Sequence, residues 1–150
     1  MSIAPKMTRP LYERDFVAWA ETQARLLRAG RFAEVDLAKV VEEIESLGRS
    51  DRRALKSEVG RLLVHLLKWM HQPEKRTRSW EDSIADAGGK VAMLIEDSPS
   101  LRRELPEIFA SEYPGVRRDA GRQTRLGAQH LPECLGISIE EALDPDFWPS

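Results

Sequence analysis

The chain has 150 residues, 41% of them hydrophobic and 32% charged, with a net charge of −2. That length suits one compact domain, and that mix excludes a disordered chain and leaves no global field favouring nucleic acid or a membrane surface. A single cysteine, Cys134, excludes an intramolecular disulfide and a multi-cysteine zinc cage and fits a reducing cytoplasm.

Residues 1–9 read as a polar, flexible terminus with no apolar core of signal-peptide length, and residues 10–150 as one helical domain. The first helix is expected over Leu11 to Arg28, opened by Pro10 and closed by Gly30. Tyr12, Phe16, Trp19, Gln23 and Leu26 fall on one face at four-three-four-three spacing, widened by Ala20, Ala24 and Leu27. The second helix is expected from Ala33 or Val35 to Leu47, with Gly48 as its stop. Leu37, Val40, Val41, Ile44 and Leu47 form its expected buried stripe. Glu42 lies nearly opposite that stripe, and Glu43 and Glu45 lie on its borders.

Ser50 is the expected N-cap of the third helix, with Asp51 in its first turn and Pro73 ending it after Met70 or His71. Its leucines cover more than half its circumference, so other helices must surround it. His65 falls at one edge of that arc. Arg53, Ser57, Arg61, Lys68 and His71 occupy the outer face. After the basic loop QPEKRTR, Ser79 with Asp82 is expected to open helix four, whose stripe is Trp80, Ile84, Ala87, Val91 and Leu94. Gly88 and Gly89 within it should cost about 1 kcal/mol each relative to alanine. Ser98 with Pro99 opens helix five, with Leu101, Leu105, Ile108, Phe109 and Val116 on its apolar side. Pro106 and Pro114 should bend or break it before the basic run RRDAGRQTR. Ser138 caps a short helix to Leu143, and DPDFWP is expected to lay Phe147 and Trp148 on the bundle as a clasp. No stretch alternates as a strand would. The expected fold is therefore an all-α bundle of about five main helices.

EEIESLGRS, HLLKW, QPEKRTRSW, DSPSL and LDPDFWP together resemble a bacterial family catalogued as domain of unknown function twenty-nine, from Tyr12 to Pro149. The resemblance implies an all-helical fold without an established activity. It places family-type residues at Glu42, Glu43, Glu45, His65, Trp69, Ser79 and Trp80. Gly88-Gly89, Pro114 and the CLG run after Glu133 depart from the family pattern.

The residues admit three functional classes. Glu43 or Glu45 with Glu58 and His65 is a polar cluster. Glu45, Glu58 and His65 are the trio to hold a single metal or do acid–base work, although the Glu-x-x-His of bundle di-metal proteins is absent. The structural alternative is a hydrogen bond from His65 to one of the glutamates. Nine Lys or Arg against three Asp or Glu between Arg49 and Arg78 give a net +6. Arg53, Arg61, Lys68, Lys75, Arg76 and Arg78 are then the contacts for a nucleic-acid backbone, with Trp69 and Trp80 to stack on bases. The reading favoured is a small cytoplasmic protein that acts through a protein partner or by self-association, a twofold dimer by default, without a cofactor, catalysis or a membrane.

Overall fold

A computed structural model describes residues 9–150; the expected flexible terminus falls almost wholly outside them. The described chain is all-α, with six α-helices, short 3₁₀ turns and no strand. They are α1 (Leu11–Arg14), α2 (Phe16–Arg28), α3 (Leu37–His71), α4 (Arg78–Asp97), α5 (Leu105–Thr124) and α6 (Ile139–Leu143). The chain gathers into two compact units, one ending at Gly48 and the other running from Arg49 to Ser150.

The first unit is a helical hairpin. Asp15 takes non-helical backbone angles, splitting the expected first helix, and its carboxylate caps α2 by accepting from the Ala18 N–H at 3.0 Å. At the far end the Gln23 side chain, 9% exposed, accepts from the Asp36 N–H at 2.8 Å. At the near end the Tyr12 hydroxyl donates to the Glu43 carboxylate, and Lys39 Nζ lies 4.8 Å from the Tyr12 ring centroid. Tyr12 of α1 level with Glu43 and Gln23 of α2 level with Asp36 set the first two helices antiparallel to the start of α3. Tyr12, Phe16 and Trp19 pack as an aromatic cluster with centroids 4.9–5.7 Å apart.

Gly48 does not stop a helix. The chain is helical without interruption from Leu37 to His71, so the expected second and third helices are one and Ser50 caps nothing. Gly48 is not among the left-handed residues, the conformation in which a glycine characteristically ends a helix. A mid-helix glycine costs only about 1 kcal/mol, which the flanking turns outweigh.

The second unit is the bundle. Leu55, Val59, Leu62, Leu63, Leu66 and Leu67 of α3 are 0–1% exposed, as the breadth of their arc requires. They meet Ile84, Ala87, Val91 and Ile95 of α4 and Leu105, Ile108, Phe109, Tyr113, Val116 and Ala120 of α5 in one core. Thr77, not Ser79, caps α4, accepting from the Trp80 N–H at 3.3 Å; both residues sit within one turn, and Thr77 has the extended backbone a cap needs. Pro114 leaves α5 unbroken to Thr124, and all of RRDAGRQTR but its last residue, the cap Arg125, continues that helix. Pro114 and Ala110 are both exposed, so the carbonyl that loses its donor faces water.

Ser138 and Glu141 form a reciprocal capping box on α6. The closing segment is a clasp: Trp148 packs on Trp69 with centroids 5.0 Å apart. Pro149 O accepts from Trp69 Nε1 at 3.1 Å and from Arg76 at 3.4 Å. Gly88 and Gly89 lie beneath it, in a cavity of about 150 Å³ lined also by Phe147 and Trp148. A Cβ on either glycine would meet no atom within 4 Å. Gly88→Ala is therefore expected to raise stability by about 1 kcal/mol, or roughly 3 °C in Tm, by scanning calorimetry. A loss would mean that the clasp closes on the helix more tightly than the geometry allows.

Candidate functional site

His65 and Glu58 each have a partner one turn away on α3. His65 Nδ1 lies 2.8 Å from the Arg61 carbonyl one turn back. A carbonyl can only accept, so Nδ1 carries the proton. Glu43 accepts from Tyr12, whose hydroxyl is pushed up to about 12, first by that hydrogen bond. Glu58 accepts from Arg61 at 3.0 Å, and Arg61 also donates to Asp86 of α4. Lys90 closes this network at 3.2 Å from Asp86 and 4.0 Å from Glu58. The Arg61 hydrogen bond holds the Asp86 carboxyl below the usual carboxylate range and raises Arg61 in return. Among the described residues no three His, Cys, Asp or Glu gather as a metal site.

His65 borders an open cleft of about 330 Å³ between α3 and α5, with Glu112, Asp119 and Gln123 on its other wall. Burial pushes its pKa below the ordinary value, and the positive charges of Lys68 and Arg61 push the same way. The unfolded chain thus binds a proton more readily than the folded one. The stability this contributes is whole above the ordinary value of 6.5 and lost as pH falls through the lower folded value. His65→Gln is expected to flatten the fall in denaturation midpoint between about pH 7 and pH 5 relative to the parent chain. Parallel curves for the two proteins would show that His65 does not titrate in that window.

Three of the six expected nucleic-acid contacts are engaged within the fold. Arg61 belongs to the network above. Lys68 lies 4.7 Å from the Trp80 ring centroid and donates to Gln123 at 3.1 Å. Arg76 donates to the carbonyls of Trp69 and Pro149 and stacks on the Trp69 ring at 4.6 Å. Arg53, Lys75 and Arg78 are exposed. Trp69 is 8% exposed beneath the clasp and offers no face to a base. Cys134 is exposed beside an apolar cleft formed by Tyr113, Pro114 and Ile137.

What periodicity did not reveal is an open apolar face on the hairpin. Of the stripe expected to be buried, Val40 is half-buried and the rest is exposed: Leu37 66%, Val41 44%, Ile44 63% and Leu47 70%. The reason is rotational. Asp36, Lys39 and Glu43 meet the first two helices, through Gln23 of α2 and Tyr12 of α1, and at 100° per residue this side lies roughly a third of a turn from Leu37, Val41 and Ile44. On α2 the inward side carries Trp19 and Gln23; the exposed Phe16 and Leu27 lie a smaller turn away in the same sense, and Val17 about as far round as the α3 set. Because the helices run antiparallel, the same sense of rotation brings both sets to one side of the hairpin. Among the described residues no helix is long and apolar enough to cross a membrane.

A family model described as "Domain of unknown function DUF29" matches residues 11–148. No curated protein and no solved structure matches the chain.

Proposed function

The chain belongs to the DUF29 family, whose description assigns no activity, and from the geometry of its hairpin we propose that it is a cytoplasmic protein-association module that works by docking rather than by catalysis. The observation that carries this is the run Leu37, Val41 and Ile44, all exposed on the same side as Phe16 and Leu27. Scattered exposed apolar residues are ordinary on any surface, but a contiguous patch on one side of a helix pair is the signature of a binding face. The polar groups that suggested chemistry are satisfied within the fold, His65 by a backbone carbonyl and Glu58 by Arg61.

The test is a photo-reactive phenylalanine derivative in place of Ile44, with Arg118 of α5 replaced in the same way as control. Irradiation in the producing cell should give protein adducts from position 44 and none from position 118. Absence of any protein adduct from position 44 would end the association reading.

A further inference from the structure

The hairpin face identifies its own partner. We propose that a second copy of this chain covers it, the two hairpins pairing face to face about a twofold axis into a four-helix layer. The proposal rests on the association reading above and adds what the face binds.

The size of the face fits such a partner. Phe16, Val17, Leu27, Leu37, Val41 and Ile44 together expose on the order of 600 Å², whereas a standard interface takes roughly 800 Å² per partner, of which about 65% is apolar in homodimers. The open face is thus what one half of a small dimer needs. It exceeds what isolated exposed side chains would leave.

Helix architecture points the same way. Two antiparallel helices enclose only the residues between them, here Trp19 and Gln23. Their common apolar side needs another layer of helix, and a copy of the same hairpin supplies one of matching length and shape.

Charge sets the direction of pairing. The arm from Leu11 to Arg31 carries four arginines against three acids, a net of +1; the arm from Ala33 to Leu47 carries one lysine against five acids, a net of −4. Arms of opposite sign make the face self-complementary when α2 of one copy crosses α3 of the other. The same crossing keeps the two acidic arms apart, which a direct overlay of α3 on α3 would not. Arg25 and Arg28 sit at the end of α2 that is level with Asp36, where the acidic arm begins.

Sedimentation equilibrium of the full chain across a concentration series tests this. The expected result is a monomer–dimer equilibrium in the micromolar range, weakened at least tenfold by Ile44→Asp and by Val41→Lys and unchanged by Arg118→Asp. Far-UV circular dichroism at dilution should show each variant as helical as the parent, since all three positions face solvent in the single chain. Two substitutions on the face guard against one of them disturbing the helix. A chain that stays monomeric to about 100 µM, or a dimer indifferent to both face substitutions, overturns the proposal. A monomer whose position 44 still captures a different protein in the cell removes self-pairing and leaves the association reading standing. A monomer without capture removes both.

Discussion

Leu63→Ala is expected to lower the unfolding free energy by about 3 kcal/mol and the thermal midpoint by roughly 9 °C. Leu63 is 0% exposed, on the turn of α3 where Leu62, Leu66 and Leu67 are equally enclosed by α4 and α5. Truncation there removes three carbons from close packing and leaves a void that the neighbouring helices can only partly fill. Leu37→Ala is the control: the same substitution on the same helix, at a side chain 66% exposed. At dilution it should change stability by less than about 0.5 kcal/mol. Urea denaturation of the two variants side by side reads the difference directly. Equal losses would mean that Leu37 is enclosed in the single chain.

Gly121→Ala is expected to cost about 2–3 kcal/mol, even though alanine is the better helix former. After Thr124 the chain turns back through Arg125, at a left-handed φ of 59°, and Gly127, at 83°. It then passes directly over α5. The Gly127 N–H donates to the Gly121 carbonyl at 3.2 Å. A Cβ on Gly121 would stand 2.5 Å from the Ala128 nitrogen and 2.9 Å from both Ala128 Cα and the Gly127 carbonyl carbon. All three are main-chain atoms that cannot swing aside. The same denaturation assay should place this variant and Gly88→Ala on opposite sides of the parent. A neutral Gly121→Ala would show that the reversed segment yields without loss.

Much of this fold was legible in residue order alone. The density of leucines before Pro73 demanded enclosure, and α3 is enclosed there. Ser138 caps the last short helix as expected, because an N-cap acts within a single turn. The apolar closing run found Trp69, although no local signal said which residue it would meet. What stayed hidden was whether a shared face is covered. Leu37, Val41 and Ile44 repeat at the same intervals as Val59, Leu63 and Leu66, and spacing carries no record of what lies opposite. Gly48 misled for a related reason: glycine permits a helix end without imposing one, and only backbone angles decide. The Tyr12–Glu43 and Gln23–Asp36 bonds span 31 and 13 residues, separations at which composition says nothing about pairing.

The paired indoles of Trp69 and Trp148 report on their own separation. With ring centroids 5.0 Å apart and planes inclined at 47°, their electronic transitions couple. Light absorbed by either is shared by both, and this sharing lapses when the rings part. The closing segment therefore carries a built-in optical signal of its own attachment, distinct from the signal of the helices, and its release can be followed without adding a dye.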